Sequence, residues 1–142
     1  MTKKYELLKS DTIKVNNKTL YRVKALRSFS DIDKGDLGGY IEHEGNLSHE
    51  EDAWVFGNAE VSGNAVVNHT TDIITFNFGE YHCTATRSDM SCQIGCMRHT
   101  IDEWLSLSEE DAWERGTYNV EKYKSFLQFC KLRFNKLNKE EQ

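Results

Sequence analysis

Apolar and polar residues alternate on both sides of Asn16-Asn-Lys18, with Ile13-Lys-Val15 before it and Leu20-Tyr-Arg-Val23-Lys-Ala25 after it. A side-chain period of two flanking a turn-prone tripeptide predicts a β-hairpin. Asp31-Ile-Asp-Lys-Gly-Asp-Leu-Gly-Gly39 follows as a tight connection into Tyr40-Ile41. Its glycines permit positive φ and its aspartates cap local turns. At Val55 the period becomes six: Val55-Phe-Gly-Asn-Ala-Glu60, then Val61-Ser-Gly-Asn-Ala-Val66, with Val67 opening a third unit that decays. An aliphatic first position and a small fifth one mark left-handed β-helical hexads, in which Gly-Asn turns the corner. A full coil takes about three hexads and is buried by its neighbours. Two hexads fall short of that, so the expectation is a pair of short strands and turns, not a solenoid. Ile73-Ile-Thr-Phe76-Asn-Phe78 alternates again and predicts a strand, whereas residues 81–96 show no clear period.

From residue 100 the pattern turns helical. Thr100-Ile-Asp-Glu103 is a capping box, and Ser108-Glu-Glu-Asp111 is a second acidic helix start. Gly116 stops that segment and Asn119 caps the last helix. There Val120, Tyr123, Leu127, Cys130, Phe134 and Leu137 recur at spacings of three and four, one continuous apolar seam. Lys122, Lys124, Lys131, Arg133, Lys136 and Lys139 make this helix basic, although the chain carries a net charge of -5. The predicted fold is α+β within a single domain, 1–142: a β-rich body over 1–98 and two C-terminal helices over 100–139.

The length suits one domain. No run approaches the roughly 18 apolar residues of a membrane span, and Met1-Thr-Lys-Lys lacks a signal peptide's apolar core, so a cytoplasmic, membrane-free location is expected. Cys83, Cys92, Cys96 and Cys130 are too few for a disulfide scaffold and read as free thiols. The negative net charge argues against binding polynucleotide backbones, while leaving room for a local basic pocket that holds one small anion.

Candidate chemistry sits in the second half. His82, Cys83, Cys92, Cys96 and His99 are soft ligands within 18 residues, but the CxxC pairs of a zinc knuckle are missing and buried thiols explain them as well. The expectation is no metal and no cofactor. His69 follows the hexads as the base of a hexapeptide acyltransferase would, without the long β-helix such enzymes need. Cys96 and His99 pair as thiol and imidazole by sequence only. No catalytic residue is assigned, and the chain is expected not to be an enzyme. An anionic-nucleotide site has more components. Arg87, Gln93, Arg98 and His99 precede a helix start, Tyr81, His82, Phe126 and Phe129 offer stacking surfaces, and Lys124, Lys131 or Arg133 suit a phosphate. The plainer alternative makes these aromatics core and these cations solvated. The carboxylates from Asp31 to Asp52 match no calcium loop and read as a solvated rim. Trp54, Trp104 and Trp113 read as core or interface anchors.

Leu20-Tyr-Arg-Val-Lys-Ala-Leu26, Lys34-Gly-Asp-Leu-Gly-Gly-Tyr-Ile-Glu42, Asn46-Leu-Ser48, the Gly-Asn-Ala hexads and Gln93-Ile-Gly-Cys-Met-Arg-His-Thr-Ile-Asp-Glu-Trp104 resemble a group of small phage and prophage proteins. Many of these carry a long hexapeptide array that this chain lacks. The short form, a β-rich body with two terminal helices, is similar to the Thoeris anti-defence family of phages. The resemblance implies a sponge in the host cytoplasm that sequesters, without cleaving, the cyclic ADP-ribose-type signal made by TIR-domain enzymes. Some members also hold cyclic oligonucleotides. It further implies a homo-oligomer, dimers building to a hexamer, with ligand sites between subunits. Gln93 becomes a polar ligand contact, Tyr81 or Phe78 a stacking residue, and the last helix's cations the pyrophosphate contacts. Lys24, Arg27 and Ala85 fall at a second, cyclic-nucleotide site. Two rival readings remain: a phage structural or host-interaction protein with a vestigial β-helix, and more remotely an acyltransferase-like protein.

Overall fold

The computed structural model describes residues 3–77, 82–106 and 121–141. Strands β1 (Tyr5–Val15) and β2 (Lys18–Ala25) form the expected hairpin. Its turn is the dipeptide Asn16-Asn17, with φ of 48° and 70°. Positive φ at both positions gives a type I′ turn, whose twist matches that of paired strands. β2 pairs antiparallel with β3 (Leu37–Ile41), and β3 pairs in parallel with β4 (Glu60–Val61).

That parallel pairing is where the hexads go, and it extends further than their sequence suggests. Tyr40 faces Glu60, Ile41 faces Val61, and Leu47 bridges Val67 in parallel. Both Ile41 to Val61 and Leu47 to Val67 are steps of 20 residues, which is three hexads plus two. Aliphatic or small residues recur every six positions at Ile41, Leu47 and Ala53, then at Val55, Val61, Val67 and Ile73, all of them buried. The chain therefore winds through two stacked rungs, 37–53 and 55–73, in place of the isolated strands and turns expected. Close stacking requires glycine at β3: a Cβ on Gly38 would lie 2.5 Å from the Val55 carbonyl oxygen, and one on Gly39 would lie 2.4 Å from that of Ala59.

Each rung has a matching corner, a short 3-10 turn at Glu44–Asn46 and again at Thr70–Asp72. At the first, the buried Asn46 Oδ1 accepts the backbone N–H groups of Glu42 and His43, and its Nδ2 donates to the carbonyls of Gly63 and Ala65 on the next rung. At the second, Asp72 Oδ2 accepts the N–H groups of Asn68 and His69, but a carboxylate has no hydrogen to pass onward. Arg87 takes the remaining oxygen instead, and the coil stops there.

Residues 73–100 form a second antiparallel sheet in sequential order: β5 (Ile73–Asn77), β6 (His82–Thr86), β7 (Ser91–Ile94) and β8 (Met97–Thr100). Residues 82–96, in which no period was legible, thus hold two strands and the turns after them. The lower face presents Ile73, Thr84, Thr86, Ser91 and Gln93 toward the coil, with Glu60 N–H donating to Thr84 Oγ1 and Val66 N–H to Ser88 Oγ. The upper face presents Ile74, Cys83, Ala85, Cys92 and Ile94 to the helices.

The capping box forms as expected, with Thr100 N–H donating to Glu103 Oε1 at 2.9 Å and Glu103 N–H to Thr100 Oγ1 at 3.1 Å. It opens α1 (Ile101–Ser106), which is pinned to the sheet by Trp104 Nε1 donating to the Cys92 carbonyl at 2.7 Å. The long helix α2 (Glu121–Glu140) buries Tyr123, Phe126, Leu127, Cys130 and Phe134 on the upper face, with Leu137 partly buried. The expected features at Ser108–Asp111, Gly116, Asn119 and Val120 lie outside the described residues. The α+β class and its order, β-rich body then helices, are as the sequence predicts. Among the described residues no helix is long and apolar enough to cross a membrane.

Candidate functional site

The sequence candidates divide into three places. Gln93 and Arg98 are cross-strand partners on the lower face of the second sheet. Gln93 is 2% exposed, and its Nε2 donates to Glu60 Oε1 at 2.8 Å and to the Gly95 carbonyl at 3.0 Å. Burial raises the Glu60 carboxyl's pKa, while the Gln93 amide opposes that shift. Arg98 Nη2 donates to Thr86 Oγ1 and Asp89 Oδ2, both at 3.0 Å, and its Nη1 is buried without a partner among the described residues. Gln93 therefore joins the coil to the sheet, Arg98 ties β8 to β6 and the turn that follows it, and within one chain Gln93 is closed to a ligand.

Arg87 is likewise committed. Its guanidinium donates to Asp72 Oδ1 at 2.8 Å, Asn138 Oδ1 at 3.1 Å and Glu141 Oε1 at 2.7 Å, tying coil, sheet and α2 together. His99 lies on the opposite face from Arg98, edge-on to Trp104 with ring centroids 4.8 Å apart. The four residues adjacent in sequence, 87 to 99, are thus not one constellation. Arg98 and Gln93 face the coil, His99 faces the helices, and Arg87 serves the coil corner.

The second grouping implied by the resemblance is likewise not brought together within one chain. Ala85 is fully buried under α2, whereas Lys24 and Arg27 belong to β2 of the first sheet and the loop after it. A side chain enclosed in the helix–sheet core offers no surface to share with those cations. Phe78 and Tyr81 lie outside the described residues.

Three of the four thiols are core. Burial pushes Cys83 and Cys130 up to about 12 and Cys92 well above its ordinary value, so all three are held as neutral thiols. Cys96 is exposed. Burial lowers the pKa of His82, whose Nε2 has no partner among the described residues. Among the described residues no three His, Cys, Asp or Glu side chains are grouped to hold a metal ion. His69 pairs its Nδ1 with Glu51 at 2.9 Å on the coil corner.

The exposed candidates gather on α2. Lys131 pairs with Asp102 of α1 at 2.8 Å. Lys124 is half-buried, while Arg133, Lys136 and Lys139 are exposed and form no ion pair among the described residues. Phe129, Arg133 and Lys136 stand at i, i+4 and i+7 on one face, about 10 Å of helix. Phe129 is 57% exposed and Leu132 73%. Across from the helix, Phe76 of β5 is half-exposed and rests on Phe126 with centroids 5.7 Å apart. Phe76 was legible only as a strand residue. Its alternation with Ile74 places it on the helix side, but nothing local indicates that the helix leaves it uncovered.

What this helix face offers is an exposed aromatic ring one and two turns from solvated cations, groups of the kind that hold a nucleobase and its phosphates. The sequence matches no protein-family model and no curated protein.

Proposed function

We propose that the protein is a phage anti-defence sponge that binds and sequesters, without cleaving, a cyclic ADP-ribose-type immune signal, with cyclic oligonucleotide signals as a second ligand class. The observation that carries this reading is the strip on α2, where exposed Phe129 shares a helix face with Arg133 and Lys136 on a chain of net charge -5, and where half-exposed Phe76 of β5 rests on Phe126 of the same helix. Sequestration needs stacking and charge-assisted contacts without turnover, and those are the groups presented. Arg133, Lys124 and Lys131 remain the proposed phosphate contacts, with Lys136 joining them. Phe129 and Phe76 join Phe78 and Tyr81 as stacking residues. Gln93 and Arg87 move to supporting roles because their polar atoms are engaged within the fold. Large apolar groups left open on the same helix, Leu132 above all, suit closure of the site by a second copy, in keeping with a dimer that builds to a hexamer.

The rival reading, a protein working through its surface on a host or virion partner, is favoured by exposed Leu37 and Phe56 on the coil. One experiment separates the two. The protein is incubated with the product mixture of an activated TIR enzyme, freed of small molecules and denatured. Release of an intact cyclic nucleotide supports the sponge. Release of a hydrolysed product indicates an enzyme, and an empty protein leaves the surface-binding reading.

A further inference from the structure

Between the end of α2, the coil corner and the β6–β7 turn lies a cavity of about 280 Å³. It is separate from the α2 strip and smaller than the pockets that enclose drug-sized ligands. Its floor is Arg87 on Asp72. Asp72 is fully spent, with one oxygen on Arg87 and the other on two backbone N–H groups. The outer edge of the guanidinium is held differently. Nη2, which also meets Asp72 Oδ1 at 2.8 Å, turns its outer side to Glu141 Oε1 at 2.7 Å, and Glu141 is an exposed side chain just past the end of the helix. Its backbone N–H donates to the Leu137 carbonyl at 3.2 Å.

The walls hold donors that are under-used. Asn138 accepts from Arg87 at its Oδ1, and among the described residues its Nδ2 faces the Met90 sulfur alone, at 3.9 Å. Ser88 Oγ accepts from Val66 N–H, which leaves its own hydrogen to donate into the cavity. A guanidinium edge, an amide N–H and a hydroxyl thus converge where one carboxylate already sits. Glu141 is the solvent-exposed partner of this pair, so its carboxylate can exchange with water or another anion.

We propose that this cavity is a seat for a small monoanionic carboxylate, with the Glu141 side chain as its built-in competitor. Arg87 and Asp72 cancel, so the seat is neutral once Glu141 leaves, and Asp72 beneath it disfavours a second negative charge. Met90 supplies the apolar wall for a short alkyl group. A free acid of a few carbons fits the volume; a nucleotide does not.

The test is an acetate titration of the ¹⁵N-labelled full-length protein at constant ionic strength set with chloride. It is followed at the Arg87 Nε–H and Asn138 amide signals, with Arg98 Nε–H as the control ion pair. Saturable shifts at Arg87 and Asn138 but not Arg98 are expected. The apparent affinity should rise about two- to sixfold in both Glu141→Ala and Glu141→Gln, as removal of a weak internal competitor predicts. Absence of saturable shifts, or equal affinity in all three proteins, overturns the proposal. Dianionic phosphate binding as tightly as acetate also overturns it. None of these outcomes depends on whether α2 binds a cyclic nucleotide.

Discussion

Replacing Arg87 with methionine isolates the contact that ends the coil. The Asp72 carboxylate side chain is 3% exposed and meets the guanidinium at 2.8 Å, so the variant leaves a buried charge held only by two backbone N–H groups. Breaking one partner of a buried pair costs about 3–5 kcal/mol, and the ties to Asn138 and Glu141 disappear with it. For a chain of this size such a loss lowers Tm by on the order of 10 °C or more. The corner at Asn46 supplies the control, because there an amide oxygen accepts the same pair of N–H groups without a cation. Asp72→Asn in the Arg87→Met background should therefore recover at least half of the loss. Urea unfolding followed by far-ultraviolet circular dichroism on the four proteins of the cycle gives the coupling directly. A loss below about 1 kcal/mol for Arg87→Met would refute the assignment of Arg87 as the coil's terminator. So would an Asp72→Asn change that adds to the damage.

Other outcomes follow from the same contacts. Gly39→Ala places a methyl against the Ala59 backbone and should cost about 1–3 kcal/mol or more in the same unfolding assay. Gln93→Ala removes the amide that Glu60 accepts from and should destabilise by about 1–3 kcal/mol, read by thermal melting. Stability should also depend on alkaline pH with two opposing signs. Lys4, fully buried with its Nζ donating to the Ala53 and Glu50 carbonyls, is pushed down to about 8 by burial, then by Arg27. The unfolded chain then binds that proton more tightly, so stability rises from about pH 8 toward 10.5. Cys83 and Cys130, pushed up to about 12, act the other way: their contribution is complete below about 9 and is lost as pH rises toward 12. Lys4→Met should abolish the rising limb and Cys130→Ala should soften the falling one, both measurable as urea midpoints across pH 7–11.

The parts of this fold visible in the sequence are those whose signal is local. Asn16-Asn17 specifies its turn through positive φ, the Thr100–Glu103 box closes within four residues, and the α2 seam repeats often enough to read. The coil was only half visible. Its first rung keeps the six-residue period at Ile41, Leu47 and Ala53, but the fifth positions are irregular and a two-residue slip before Val55 breaks the phase. Of the second sheet only β5 was legible, and β6 to β8 escaped because both faces of those strands are largely covered. One face is lined by Cys and Ala, the other by Thr, Ser and Gln, so its alternation has little hydrophobic contrast. Arg87 and Gln93 looked like free binding groups because their acidic partners, Asp72 with Glu141 and Glu60, lie 15 to 54 residues away in the chain. The exposure of Phe129 and Phe76 likewise belongs to tertiary structure.

The most direct test of the proposed function compares the wild type with Phe129→Ala and Arg133→Ala, both at solvent-exposed positions of α2 and each expected to leave the melting temperature within a few degrees. Each protein is loaded with the products of an activated TIR enzyme, desalted and denatured, and the released small molecules are quantified by mass spectrometry. The wild type should release intact cyclic nucleotide, and each variant at least about tenfold less, the loss on removing one good stacking or charge-assisted contact. Equal release from all three proteins would contradict the placement on α2, and an empty or hydrolysed wild-type sample would contradict sequestration itself.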